Sequence, residues 1–159
     1  MIDNELAFRS MADSLLSESL CVYFVNAETN EYILYSSYDW YKALFVGLDA
    51  SDFYADVAKV TEQLIYEDDK HIFLDADLKN ILLSQVENDS VHLTDYRLVI
   101  DGKPVYHRSR LIRGVGEDGC FILGVRNVDD EVREKLRAEK YFREREETRR
   151  KSAAYSQVV

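Results

Sequence analysis

The sequence predicts an α+β domain built on one antiparallel sheet. Three observations carry this expectation. Two strand-like runs, "CVYFVN" and "YILYSS", stand near the start on either side of a turn at Asn30. Three more, "VHLTDYRLVI", "PVYHRSRLIRG" and "CFILGVRNV", close the second half. Short segments of helical spacing lie between the two sets. Strands at both ends with helices between them suit one antiparallel sheet with helices to one side, not an alternating strand–helix array.

The elements follow in order. "DNELAFRSMADSLLSES" puts Leu6, Phe8, Met11, Leu15 and Leu16 at mostly helical spacings, predicting an amphipathic helix from about Asn4 to Ser17. The first two strands form a hairpin, with Asn30 able to accept a positive φ. "DWYKALFVGL" and "SDFYADVAKVTEQLI" read as short helices, the second capped by Ser51 or Asp52. "YEDDKHIF" reads as a turn leading into a further helical turn. In "DADLKNILLSQVEND", Leu78, Ile81, Leu82 and Val86 share one helix face, with Asp75 or Asp77 at its start. "DGK" between the third and fourth strands is a strong hairpin signal, and "EDG" turns the chain into the last strand.

A long charged helix then runs from Asp129 or Asp130 to about Ser152 without glycine or proline. Glu131–Lys135, Glu139–Arg143, Glu146–Arg150 and Glu147–Lys151 are i,i+4 pairs in the favourable order. Its apolar stripe is thin: Val128, Val132, Leu136 and Phe142. A helix this polar gains little by folding onto its own sheet, so it reads either as an exposed charged helix or as a coiled-coil connector to a second copy. The chain therefore divides into an N-terminal amphipathic helix (1–18), a sheet domain (19–128) and a C-terminal helix (129–159).

Composition narrows the function. The chain has 159 residues and a formal charge of -10, which disfavours phosphate backbones and so nucleic acid. Its one basic cluster, Arg143 to Lys151, is interleaved with Glu144, Glu146 and Glu147. No apolar run is long enough to span a membrane, and "MIDNELAFRS" is unlike a signal peptide, so a cytoplasmic protein without membrane contact is expected. Cys21 and Cys120 both lie in apolar strands and read as buried thiols. His71, His92 and His107 fall in separate elements and form no close-spaced metal set. No Gly-rich phosphate loop and no positioned nucleophile–base pair is visible, so no catalytic residue is assigned. The acidic cluster "EDDKH" suits helix-start positions better than a metal.

A pocket is the sharper possibility. Tyr35, Tyr41, Tyr54, Tyr96 and Tyr106 could form an aromatic wall with polar tips. Arg108 and Arg110 alternate with His107 and Ser109; an inward arginine face would suit an anionic ligand. The other reading places the tyrosines in the core and the arginines on a solvated sheet face. The sequence leaves open which strand face is inward. Tyr35, Tyr96, Tyr106 and Arg108 are the candidate ligand residues.

Several motifs resemble the PAS sensor family over roughly Ser19 to Val132. "IYEDDKHIF" is similar to that family's His-Pro-Asp-Asp-Arg turn, with Tyr66 and Glu67 for His and Pro. "DYRLVIDGKPVYHRSRLI" resembles its Tyr-Arg, Asp-Gly hairpin through Tyr96, Arg97, Asp101 and Gly102. "GVRNVDDEVRE" resembles its closing Gly-Val-x-Asp-Ile-Thr segment, with Asn127 for Asp, Val128 fitting, and Asp129 where Thr is common. The resemblance implies a five-stranded antiparallel sheet in the order 2-1-5-4-3 with helices over one face. That order would set Cys21 and Cys120 toward opposite ends of adjacent strands, against a disulfide.

The resemblance further implies a regulatory domain of a bacterial signalling protein, not an enzyme, acting as a homodimer on a diguanylate cyclase (GGDEF) or histidine kinase output. Asn127, Val128 and Asp129 would be the joint that passes the signal on, and Val132, Leu136 and Phe142 the connector seam. A ligand-free dimerisation module is the alternative, and a small enzyme on such a scaffold a more distant one. No cofactor is expected. No cysteine lies between Cys21 and Cys120 for flavin photochemistry, and His71, the histidine nearest the haem-binding region, sits in the turn. "AAYSQVV" (153–159) echoes "LAFRSMA" (6–12), so the chain is expected to be a fragment ending at a second such domain.

Overall fold

The structure is a computed structural model and describes residues 1–73, 78–87, 91–114 and 119–157. Its elements are α1 (Asn4–Leu16), β1 (Ser19–Asn26), β2 (Tyr32–Tyr35), α2 (Asp39–Ala43), α3 (Phe53–Leu64), a 3-10 turn (Glu67–Ile72), α4 (Leu78–Glu87), β3 (His92–Ile100), β4 (Lys103–Arg113), β5 (Cys120–Asn127) and α5 (Asp129–Gln157). The five strands form one sheet in the order β2-β1-β5-β4-β3, every pairing antiparallel. The neighbouring strands β1 and β5 come from opposite ends of the sheet domain, so closing the sheet requires the whole intervening chain to fold back.

Local chemistry explains the pieces. Asp3 caps α1, accepting from the Glu5 and Leu6 N–H groups, and Asp52 caps α3, accepting from Ala55 at 3.2 Å. In α3 the buried residues Phe53, Asp56, Val57 and Val60 recur at one-turn spacing, so a single face meets the sheet. α4 buries Leu78, Leu82 and Val86, whereas Ile81, expected on that face, stays exposed. Asp75 and Asp77, the expected start of this helix, and most of the "EDG" turn lie outside the described residues. Between β3 and β4, Ile100 pairs with Lys103, leaving a two-residue loop. Asp101 and Gly102 take φ of 52° and 76° there, the positive values that such a turn needs.

The core lies between the sheet's inner face and the helices. Cys21, Tyr23 and Val25 of β1, Leu98 of β3, Leu111 of β4 and Leu123 of β5 meet Phe53, Val57, Val60, Leu82 and Phe73 there. Both cysteines are buried and free; Cys21 stands opposite Val125 and Cys120 opposite Asn26, at the two ends of the β1–β5 pair. Among the described residues no helix is long and apolar enough to cross a membrane.

The chain forms two compact units, Met1–Asn127 and Val128–Val159. The second is essentially α5, 29 residues and thus about 43 Å long. Its first turn closes through the Val132 N–H on the Val128 carbonyl at 2.9 Å, and Arg133 grips the Asp129 carboxylate through Nε, 2.9 Å from each oxygen. Glu147–Lys151, one of the expected pairs, is closed at 3.6 Å, and Lys140–Glu144 approaches to 4.0 Å. Leu136 and Phe142 are exposed on this helix, as are Tyr141 and Tyr155.

Candidate functional site

Strand parity settles which face is inward. On β4, His107, Ser109 and Leu111 are buried, so Arg108 and Arg110 point to the opposite face. The condition for an inward anion site is not met: the arginine face is the outer one. Arg108 there holds Asp95 of β3 through Nε at 2.6 Å and Nη2 at 3.0 Å. Tyr106 shares that face, its ring 5.7 Å from the Arg97 guanidinium. Tyr35, also outward, donates its hydroxyl to Asp13 of α1 at 3.1 Å. Of the four candidate ligand residues only Tyr96 faces the core, so the structure does not bring them together.

What it does bring together is a buried polar cluster. A cavity of about 30 Å³ lies between the inner face and the helices, walled by Tyr23, Tyr41, Tyr96, Val57, Thr61 and Phe73 among others. On a scale where one water needs about 10–15 Å³, it has room for roughly two. The Tyr23 and Tyr41 hydroxyls are hydrogen-bonded to each other, and the Cys21 thiol lies beside both. β1 supplies Cys21 and Tyr23 by period-2 alternation, and the short helix α2 delivers Tyr41.

Burial sets the electrostatics. It pushes the Cys21 thiol up to about 12, with the hydrogen bonds to Tyr41 and Tyr23 pulling part of the way back. It also raises Tyr23, Tyr41 and Tyr96 well above the usual phenol range, reinforced in all three by Cys21, while the hydrogen bond with Tyr23 pulls Tyr41 part of the way back. All four groups are therefore neutral near pH 7. A neutral, water-poor cluster can donate and accept hydrogen bonds, but it lacks the thiolate or poised base that covalent chemistry requires. Among the described residues no group of His, Cys, Asp or Glu could hold a metal ion. His71 is exposed on the 3-10 turn and does not wall this cavity.

One flank of the cavity is locked by an ion pair. β3 is an edge strand, and the segment Ile65–Asp69 lies along its open side. The Arg97 carbonyl accepts from the Tyr66 N–H at 2.9 Å, and the Arg97 N–H donates to Asp69 Oδ2 at 2.7 Å. The guanidinium then grips the same carboxylate, Nε to Oδ2 and Nη2 to Oδ1, both at 2.9 Å, and lies 4.3 Å from the Tyr66 ring centroid. These bonds hold the Asp69 carboxyl below the usual carboxylate range. The "EDDKH" turn and the "DYR" strand, separate motifs in the sequence, thus meet at one ion pair. Glu67, Asp68 and Asp69 do stand in the first turn of the 3-10 helix, as expected, and Asp69 also pairs with Arg97, because an edge strand's exposed N–H needs a partner.

Opposite this lock, the Tyr32 hydroxyl donates to the buried Asp56 carboxylate at 2.6 Å, joining β2 to α3. The helical cover is thus pinned to both edges of the sheet, with the polar cluster between.

An antiparallel sheet in the order β2-β1-β5-β4-β3, with α2, α3 and α4 connecting β2 to β3 across its inner face, is the arrangement that the motifs implied. The chain has the PAS fold. Solved structures similar to it include the PAS domain of BvgS from Bordetella pertussis (13% identity, 87% of this chain and 98% of that one, TM-score 0.48). A sensory box histidine kinase/response regulator from Burkholderia thailandensis is similar over 89% of this chain and 98% of its own, at 20% identity and TM-score 0.47. The N-terminal domain of a diguanylate cyclase with PAS/PAC sensor from Marinobacter aquaeolei is similar over 70% and 96%, at 18% identity and TM-score 0.44. No family model and no curated protein matches the sequence.

Within this PAS fold, the sequence reading missed Tyr23 and the pairing of Cys21 with two phenols. The signal was the alternation of Cys21, Tyr23 and Val25, but Val22 and Phe24 are apolar too, so β1 alone does not say which set is inward.

Proposed function

We propose that this chain is a regulatory sensor domain whose switching element is the Cys21–Tyr23–Tyr41–Tyr96 cluster. The observation that carries the reading is a hydrogen-bonded polar cluster beside a small cavity, under helices pinned at both sheet edges. The cluster suits a small neutral molecule with a polar end. Such a molecule would exchange the Tyr23–Tyr41 bond for bonds to itself and shift α2 and α3 relative to the sheet. Asn127, Val128 and Asp129 would carry that shift into α5, and a cytoplasmic diguanylate cyclase or histidine kinase output, or a further PAS domain, would receive it.

The test uses native mass spectrometry of the purified protein together with melting curves in a series of the smallest alcohols, beginning with methanol and ethanol, whose size matches a cavity of about 30 Å³. A probe at one hundred times its Kd adds about 2.7 kcal/mol. For a chain near this size that raises Tm by roughly 5–10 °C. Val60→Ile, which adds a methylene at the cavity wall, is expected to abolish the rise. If no probe shifts Tm and no small molecule is retained, the second reading, a ligand-free dimerisation module, takes its place; the small size of the cavity favours that reading.

We also propose that α5 pairs in parallel with α5 of a second copy along Val132, Leu136 and Phe142. Leu136→Cys is expected to give a covalent dimer under mild oxidation, while Glu134→Cys, on another face, gives little. Equal cross-linking of the two variants would discard the seam.

A further inference from the structure

The outer face of the sheet changes character row by row. Across the β4–β5 ladder, Arg126 stands directly opposite Arg108, Gly124 opposite Arg110 and Ile122 opposite Ile112. β1 extends the last two rows, with Val22 beside Gly124 and Phe24 beside Ile122. The face therefore grades from a cationic row to an apolar one over four residues of strand, about 13 Å at roughly 3.3 Å per residue. An open groove of about 630 Å³ lies along it, with Leu15 and Leu16 of α1 as one wall.

Charge and shape both mark this groove out. The chain has a formal charge of -10, yet Arg108, Arg110 and Arg126 line the groove and, among the described residues, no Asp or Glu does. Like charges directly opposed across a ladder are destabilising, so the Arg108–Arg126 row favours a nearby anion. Asp95 answers Arg108. Arg110 has Leu93 and Gly124 as its cross-strand neighbours, and neither can neutralise it. Gly124 opens the centre of the floor. Its φ is not positive, and an added Cβ would meet only Val22 Cγ2, at 4.0 Å. Neither backbone nor packing demands a glycine there, and its bare backbone leaves a notch between Val22 and Arg110.

We infer that this groove binds a free fatty acid of medium chain length, its carboxylate on Arg110 and its tail running over Gly124 toward Ile112 and Ile122. The planar guanidinium fork matches a carboxylate. The notch lets an unbranched chain lie close to the sheet, and the row beyond gives it apolar surface to cover. A bilayer is the weaker occupant: the groove is walled by α1, whose arm carries Asp3, Glu5 and Asp13 and is repelled by anionic headgroups. The site is independent of the Cys21–Tyr23–Tyr41–Tyr96 cluster, whose cavity of about 30 Å³ is too small for such a chain.

The test is calorimetric titration of the full chain with octanoate, decanoate and laurate below their micelle concentrations, with amide NMR spectra alongside. Laurate is expected to bind with a Kd on the order of 10–100 μM. Each methylene removed should weaken binding about two- to fourfold. Amide shifts should centre on Leu93, Arg110 and Gly124. Arg110→Glu and, separately, Gly124→Val, which fills the notch, should each raise the Kd at least about tenfold. Both positions lie on the outer face, so far-UV circular dichroism and Tm should hold. Decanol, the neutral counterpart of decanoate, should bind at least about tenfold more weakly than decanoate. Val60→Ile, in the wall of the buried cavity, should leave laurate binding unchanged. A laurate Kd above about 1 mM overturns the inference. So do shifts centred on Tyr41 and Val57, or an affinity unmoved by both Arg110→Glu and Gly124→Val. Co-sedimentation with phosphatidylglycerol vesicles without laurate binding also overturns it, as does a self-associated chain that excludes laurate; each leaves the sensor reading standing.

Discussion

Asp69→Ala is expected to lower stability by about 2–4 kcal/mol. The carboxylate accepts three hydrogen bonds from Arg97, one from the backbone and two from the guanidinium. Bonds to charged groups contribute roughly 1.5–3 kcal/mol each, but both side chains keep some solvent contact, so the sum is discounted. At this chain length the Tm should fall by roughly 5–15 °C. Asp69→Asn, which keeps an acceptor and loses the charge, should cost about half as much. In a double-mutant cycle with Arg97→Ala, the two losses should overlap by at least about 1 kcal/mol. A cost below about 0.5 kcal/mol for Asp69→Ala would mean that the pair contributes nothing beyond surface charge.

The same pair predicts a pH dependence. Asp69 is held below the usual carboxylate range in the folded state, so the folded protein binds a proton there less readily than the unfolded chain. Its contribution is present in full above the unfolded value, near 3.9, and is lost as pH falls through the lower folded value. The stability gap between wild type and Asp69→Asn should therefore be constant from pH 7 to about 5 and shrink below about 4. The lock also bears on the cavity, whose walls include Thr61, Leu64 and Phe73 on the chain just before and after it. Amide exchange across residues 65–73 should quicken in Asp69→Ala, at sites that the substitution does not touch.

The fold was more legible than the site, for physical reasons. Turn chemistry is local: Asn30 and the Asp101–Gly102 pair take positive φ where the sequence placed the turns. Asp52 caps α3 from the expected position. The inner face was not legible because β1 is apolar on both sides, and an uncovered outer face with Phe24 and Ile33 exposed breaks the usual inside–outside alternation. β4 held the better clue. Arginines at 108 and 110 cannot enter a core without partners, which forces His107 and Ser109 inward. That parity carries Tyr106 outward with Arg108, and the β3–β4 register places Tyr96 inward beside His107. The lock between Asp69 and Arg97 joins residues 28 apart, and nothing in local spacing marks such a pair.

Phe53→Ala is expected to cost about 3–5 kcal/mol, the upper range for a core ring. Phe53 is fully buried in the first turn of α3, and its ring lies 5.2 Å from Tyr23, 5.2 Å from Tyr54, 5.8 Å from Tyr32 and 5.9 Å from Phe121. Its N–H donates to the Asn30 carbonyl at 2.8 Å, so the ring and the β1–β2 turn are positioned together. The four neighbouring rings cannot all move inward when Phe53 is deleted, because Tyr32 is tied to Asp56 and Tyr23 to Tyr41. The void should therefore persist, and an apolar void of that size stays dry and takes up small aromatics. Benzene should raise the Tm of Phe53→Ala by several degrees and leave wild type unmoved. Phe53→Leu should cost less and bind nothing. A Phe53→Ala cost below about 1 kcal/mol with no benzene response would show that α2 and α3 collapse freely onto the sheet. The cover would then be soft instead of pinned, and a ligand's bonds to Tyr23 and Tyr41 would be absorbed locally instead of moving α3.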